Sequence, residues 1–351
     1  MTGGARTAFT SLPIVDVAGL YSADPAERMA VAAELGKAAR ETGFLYVTGH
    51  NVSGELRSSL LESTKRFFSR PVEEKMEIYI GKSESHRGYV PEGEEVMADG
   101  KRDLKEALDL GYEVSVDHPI VKAGTPMIGP NQWPAIDGFE QAVSSYYQAV
   151  FDLGQHLLRG FALALGQEED FFDRFVTCPP SQLRLLHYPY NPDAVDAQGI
   201  GAHTDYECFT LLLPTAPGLE VMNGAGEWID VPLIPDAYVV NIGDMMEVWT
   251  NGEFIATSHR VRKVREERYS FPLFFACDYD TVVAPLPELL KEGETPRYEP
   301  LRAGDHLYAQ TMQSFTYLIE KVKRGELSLP EGSKGLSSFG QEARQKAAVN
   351  G

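Results

Sequence analysis

Two residues of this chain stand two apart in a Gly-Ala-His-Thr-Asp-Tyr stretch, His203 and Asp205, and a second histidine, His259, follows beyond several turn signals. Alternate positions of an extended segment share a face, so the imidazole and the carboxylate can hold one ion, with the distant histidine closing the site. Two imidazoles and one carboxylate leave three adjacent positions open on an octahedral ion, a donor set that suits Fe(II) and the activation of dioxygen. Zinc hydrolysis asks instead for a tetrahedral site with one open position. Arg268 and Ser270 add a second piece of chemistry on the strand after His259. A guanidinium grips a carboxylate with two parallel hydrogen bonds and a hydroxyl adds a third donor, so the pair makes a receptor for the far end of a dicarboxylic acid. Taken singly, His-x-Asp recurs by chance and Arg268 suits an ion pair with Glu266; the combination carries the reading.

The elements that must position these groups are legible as patterns. Leu12 to Asp16 reads as a short strand, and Asp24 to Glu27 as a helix start with a cap, a proline at the first helical position and a capping-box acid. That helix presents Met29, Ala32, Leu35 and Ala39 on one face and stops at Gly43. Phe44 to Val47 reads as a buried strand, and Ser53 opens a helix that runs to Phe68, before Pro71. Gly81 to Gly111 is rich in glycine and charge without a sustained period, the pattern of a surface loop or lid. Ile136 to Leu165 keeps helical spacing throughout and predicts a long helix bracing a sheet.

After Pro179 come short apolar runs: Leu183–Tyr188, Phe209–Leu213, Leu219–Met222, Trp228–Val231, Ala237–Ile242 and Tyr269–Cys277. Turn pairs such as Pro217-Gly218, Asn223-Gly224 and Asn251-Gly252 separate them, which predicts an antiparallel barrel or double-sheet jelly roll. A last amphipathic helix spans Asp305 to Lys323. The expected class is α+β: one compact unit with an N-terminal helical region (1–120), a jelly-roll core with flanking helices (121–330) and a polar tail (331–351).

The net charge of −19, from 32 basic and 51 acidic residues, repels phosphate backbones and anionic membrane surfaces. Nucleic acid and membrane are accordingly not expected as partners. Cys178, Cys208 and Cys277 are far apart, with no C-x-x-C pair for zinc or thiol redox chemistry. No signal-peptide core or run of about 18 apolar residues occurs, so a soluble cytoplasmic protein is expected.

Seven segments, in order, resemble the isopenicillin N synthase-like branch of the iron and 2-oxoglutarate dependent oxygenases: Leu183–Pro189, His203–Asp205, Pro217–Val221, Val240–Asp244, Thr250–Gly252, Ser258–Val261 and Arg268–Ser270. Leu12–Asp16, Glu41–Tyr46, Phe67-Phe68 and Glu73–Lys75 resemble the N-terminal region of the same family. The resemblance implies a double-stranded β-helix with Fe(II) on His203, Asp205 and His259, dioxygen as cosubstrate, and ascorbate as a candidate reductant. It further implies that Tyr188 joins Arg268 and Ser270 in holding the C5 carboxylate of 2-oxoglutarate. Where many plant members carry an asparagine two residues before that tyrosine, this chain has Leu186, which leaves Arg184 as the candidate for the C1 end.

The implied reaction couples oxidative decarboxylation of 2-oxoglutarate, yielding succinate and carbon dioxide, to oxidation of a C–H bond, hydroxylation being the default. Relatives of the isopenicillin N synthase and ethylene-forming types keep an Arg-x-Ser without using 2-oxoglutarate, so that alternative stays open at this point. A non-catalytic binding module on the same scaffold would show a lost ligand, and a serine hydrolase would show a Gly-x-Ser-x-Gly elbow. Neither signature is present. Candidates for contact with a small-molecule substrate, by position in the chain, are Arg87, Tyr89, Glu95, Glu106, Phe209, Phe275 and Tyr279.

Overall fold

The computed structural model describes residues 5–96, 105–190, 198–262, 266–331 and 333. The expected polar tail lies outside these residues apart from Glu331 and Ser333. A short strand, β1 (Ile14–Asp16), leads to α1 (Pro25–Glu41), which starts where the sequence signals it. Asp24 caps it by accepting from the Ala26 amide at 2.9 Å, and Pro25 takes the first helical position. The helix ends before Gly43, whose φ of +65° favours glycine and whose Cβ, if present, would lie 2.2 Å from the Ile255 carbonyl oxygen. The chain then enters β2 (Phe44–Thr48) and α2 (Gly54–Phe68), the latter capped by Ser53.

After the short α3 (Val72–Lys75), the stretch expected as a loop holds two buried strands, β3 (Gly88–Val90) and β4 (Glu106–Gly111). Residues 97–104 of that stretch lie outside those described. The loop expectation fails because the charge here is internal and does not mark solvent. Arg87 is fully covered, with Nη2 donating to the Met127 carbonyl at 2.7 Å, and Glu106 accepts from Lys75 Nζ at 2.6 Å.

Past α4 (Pro119–Lys122), the 26-residue α5 (Phe139–Ala164) runs about 39 Å at 1.5 Å per residue. Its apolar face packs on the back of the large sheet, with Phe151 5.1 Å from Phe275 and Phe161 5.6 Å from Phe209, ring centre to ring centre. Gly154 permits the approach, since a Cβ there would sit 2.4 Å from the Phe275 ring.

The β-rich half supplies β5 (Gln182–Tyr188), β6 (Gln198–His203), β7 (Phe209–Pro214), β8 (Leu219–Met222), β9 (Trp228–Asp230), β10 (Tyr238–Ile242), the helix α6 (Asp244–Trp249), β11 (His259–Arg262) and β12 (Arg268–Phe275). β13 (Val282–Val283) and β14 (Leu301–Arg302) pair apart from the rest. The expected single C-terminal helix is two, α7 (Ala303–Ser314) and α8 (Thr316–Lys323). They are separated by Phe315, which is extended (φ −95°, ψ 125°) and buried against His86, so tertiary packing overrides the continuous helical period.

Eight strands form the large sheet in the order β1-β2-β10-β7-β12-β5-β4-β3, and four form a smaller one, β6-β11-β8-β9. With α5 behind the large sheet, this is the α+β jelly-roll arrangement expected. Strands from both parts of the chain build the large sheet, and side chains of both sheets enclose a cavity of about 480 Å³. Among the described residues no helix is long and apolar enough to cross a membrane.

Candidate active site

His203 ends β6 and His259 begins β11, and the two sit opposite each other in the small sheet. Asp205 follows just past the strand end, with Oδ1 3.6 Å from His203 Nε2 and 3.5 Å from His259 Nε2. One ligand atom from each residue lies within 4.8 Å of the others, the spacing of a group that can hold a metal ion.

The surrounding bonds aim these atoms inward. His203 Nδ1 meets the Gly201 carbonyl at 2.8 Å and His259 Nδ1 the Thr257 carbonyl at 3.3 Å, which leaves each Nε2 lone pair for the centre. Asp205 Oδ2 accepts from the Thr210 hydroxyl and from Asn241 Nδ2 (2.8 Å), leaving Oδ1 for the centre. Burial, and then the charge of His259, push His203 down to about 4, so it is a neutral nitrogen donor. Burial works to raise Asp205, but His259, His203 and Asn241 outweigh it and hold the carboxyl well below the usual range.

Strand pairing sets a second constellation farther along the large sheet, toward the Pro214 end of β7. Tyr188 pairs with Arg268, and Ser270 lies opposite Pro214. Arg268 is 2% exposed. Its Nε donates to the Ala216 carbonyl at 3.3 Å, Nη2 approaches Ser270 Oγ at 3.5 Å, and the guanidinium lies 4.9 Å over the Tyr188 ring. Arg268 Nη1 and the Tyr188 hydroxyl are buried without a hydrogen-bond partner, and no carboxylate among the described residues pairs with the guanidinium. A buried cation left without an anion costs several kcal/mol. The donor set therefore fits an incoming carboxylate.

The other end of the cavity is charged differently. Arg184, on the same face of β5 as Tyr188, donates through Nε to Asp109 at 2.8 Å and through both Nη atoms to Glu95. Lys105 Nζ also reaches Glu95, at 3.4 Å. Burial works to raise Glu95, but Arg184 and Lys105 outweigh it and take the carboxyl down to about 2. Glu207, in the turn between Asp205 and β7, lines the cavity and forms no ion pair among the described residues, and burial together with the Asp205 charge pushes it up to about 8. Gln182 lines the same end, its Nε2 buried without an acceptor, and α7 contributes Leu307, Gln310, Thr311 and Ser314.

The structure thus brings His203, Asp205, His259, Arg268, Ser270, Tyr188, Arg184 and Glu95 to one cavity. Arg184 does not meet the expectation of a free donor for the C1 end of 2-oxoglutarate, because Asp109 and Glu95 occupy its guanidinium. Several expected substrate contacts are corrected as well. Phe209 and Phe275 stack on each other at 4.8 Å on the helix side of the large sheet; it is their neighbours Thr210 and Phe274 that face the cavity. Tyr89 and Glu106 bond to each other at 2.6 Å on that same outer face, Arg87 packs over Gly111, and Tyr279 lies on Gly304 with its hydroxyl 3.1 Å from Asp305. Thr210, Asn241, Gln182, Lys105 and Glu207 were not singled out from the sequence. Strand alternation was the signal that could have found the first three.

Comparison with known proteins follows the same outline. Residues 12–136 match the family described as non-haem dioxygenase in morphine synthesis N-terminal, and residues 179–276 match the 2OG-Fe(II) oxygenase superfamily. The chain is 38% identical over 317 residues to the 2-oxoglutarate-Fe(II) type oxidoreductase hxnY of Emericella nidulans, covering 87% of this chain and 91% of that protein. It is 34% identical over 325 residues to the homoarginine-6-hydroxylase 2-ODD-233 of Oryza sativa subsp. japonica, covering 88% and 98%. Among solved structures, a 2OG-Fe(II) oxygenase family protein from Caulobacter crescentus superposes with a TM-score of 0.74 at 31% identity, covering 90% and 99%. With this jelly roll, this two-histidine, one-carboxylate cluster and these relatives, the chain belongs to the isopenicillin N synthase-like superfamily of 2-oxoglutarate-dependent dioxygenases, oxidoreductases that use Fe(II), 2-oxoglutarate and dioxygen.

Proposed function

We propose that His203, Asp205 and His259 hold the Fe(II), that Arg268, Ser270 and Tyr188 hold the far carboxylate of 2-oxoglutarate, and that the chain hydroxylates a C–H bond of a small molecule. The observation that carries this is the buried, unneutralised Arg268 in the same cavity as the three converging ligands. When bound, the Fe(II) supplies dioxygen activation coupled to decarboxylation of 2-oxoglutarate, with succinate and carbon dioxide released.

The protein's own part is orientation and exclusion of water. Thr210 and Asn241 keep Asp205 from rotating, and the Gly201 and Thr257 carbonyls fix the two imidazoles. Arg268 anchors the cosubstrate at one end of the large sheet, so its reacting end points back toward the cluster. Apolar Leu186, Leu212, Leu219 and Val261 line the same cavity, and a carboxylate among them meets its donors in a medium where such bonds are strong. Arg184 belongs to the substrate wall in this reading. A relative named homoarginine-6-hydroxylase supports a small-molecule substrate, and the relatives named for 2-oxoglutarate speak against a 2-oxoglutarate-independent oxidase. We place the activity in the cytoplasm, without a nucleic-acid or membrane partner, and regard residues 1–120 and 121–330 as one working unit.

The test is anaerobic addition of 2-oxoglutarate to the Fe(II)-loaded protein. A visible metal-to-ligand charge-transfer band is expected, lost in His203→Ala. A wild-type protein with no band and no succinate under turnover conditions would remove the assignment.

A further inference from the structure

The cavity has two ends, and each holds an ionisable group that no described residue neutralises. Arg268, at the level of Tyr188 and Thr215, is the unpaired cation at one end. At the other end, Phe209 pairs with Phe275 and Gln182 with Phe274, and the Cys208 amide donates to the Phe275 carbonyl at 3.0 Å. Glu207 therefore sits at the Gln182 end of the large sheet, opposite Arg268 and next to the metal-ligand turn. A cosubstrate running from the cluster toward Arg268 leaves this end for the substrate.

The acids of this end are not equivalent. Glu95 is held by Arg184 and Lys105, and Asp109 by Arg184. Glu207 lines the cavity and forms no ion pair with any described residue. Its backbone cannot drift away. The Glu207 carbonyl accepts from the Met245 amide at 3.2 Å, the Gly243 amide donates to the Cys208 carbonyl at 2.9 Å, and the Asp244 amide donates to the Asp205 carbonyl at 2.8 Å. Gly243 is a condition of this turn, because a Cβ there would lie 2.1 Å from the Glu207 carbonyl oxygen. An acid that lines the cavity, has its backbone held in place and meets no cation among the described residues is complementary to a positive ligand group.

We infer that Glu207 is a specificity-determining residue that takes a cationic nitrogen other than an α-ammonium, so that the chain acts on small basic molecules such as those bearing a terminal ammonium or guanidinium group. The buried Gln182 Nε2, which lacks an acceptor, supplies a donor to a substrate oxygen at the same end. This inference rests on the proposed oxygenase function, and the experiment separates the two. The anaerobic charge-transfer band of the wild-type protein with 2-oxoglutarate reports on the cofactor reading alone.

With that band in hand, succinate formation is measured with L-lysine, L-arginine and agmatine, and with norleucine and citrulline, analogues whose side chains are uncharged. Basic members are expected to stimulate turnover and their uncharged analogues are not. Equilibrium dialysis of the same compounds against Fe(II) and 2-oxoglutarate loaded protein should rank them alike. In Glu207→Gln, KM for the stimulating compound should rise about 10- to 100-fold, as expected for losing a hydrogen bond to a charged group. Glu207→Lys should abolish stimulation by every basic compound. If no basic compound stimulates the wild type, if uncharged analogues do as well, or if a folded Glu207→Gln keeps the preference, the inference is overturned.

Discussion

Arg268 shows how far residue chemistry alone constrains function. Its burial without an anion weakens the ligand-free fold and, in its proposed role, favours binding of 2-oxoglutarate. Arg268→Leu should therefore raise KM for 2-oxoglutarate roughly 10²-fold or more, from the loss of a desolvated charge pair, while the melting temperature of the cofactor-free protein stays level or rises. A fall of several degrees with KM unchanged would show Arg268 to be structural. At Asp205 the orienting bonds are the test: Asn241→Ala should weaken metal binding about 10- to 100-fold in a Co(II) titration, with little change in fold by circular dichroism. The ligands and the Arg-x-Ser pair were readable from residue type and order. The substrate-side residues were not, because Phe274 and Phe275 differ only in which face of β12 they occupy, and pairing with β5 and β7 decides that.

At the scale of elements, caps and turn residues made most boundaries legible, as Asp24, Ser53 and Gly43 illustrate. Two elements escaped. β4 carries buried charge satisfied by α3 and β5, and Arg87 is buried beside β3, so the composition of this stretch reads as solvent-facing, and the α7–α8 break at Phe315 follows from packing against His86. The contact of α5 with the sheet depends on one small residue. Gly154→Ala should destabilise the protein by about 1–3 kcal/mol, since its Cβ would press on Phe275 in a close-packed layer. Urea unfolding measures this, and a change under a few tenths of a kcal/mol would mean the layer yields freely.

At the scale of the whole molecule, the first third of the chain and its C-terminal helices close around the jelly roll, and His86 is one tie between them. Its Nδ1 meets the Tyr317 hydroxyl of α8 at 2.6 Å. Burial, and then the charges of Arg87 and Arg184, push His86 down to about 3, against 6.5 for an exposed imidazole. The unfolded chain thus takes up a proton near pH 6.5 that the folded chain refuses until about pH 3, and the stability tied to neutral His86 is lost progressively as pH falls between them. Melting temperature should consequently drop less from pH 7 to pH 5 in His86→Gln than in the wild type; equal slopes would remove His86 from the account. By itself the sequence determined the residue types and local periods: the candidate metal ligands, the Arg-x-Ser pair proposed as a carboxylate receptor, the jelly-roll class and the bracing helix. Only the tertiary structure decided that Arg184 is occupied by Glu95 and Asp109, that Phe209 and Phe275 face α5, and that Glu207 lines the cavity with no ion pair among the described residues. The reason is physical: local periodicity follows from neighbours in the chain, whereas the facing of a side chain and its counter-ion depend on register and packing between segments far apart in sequence.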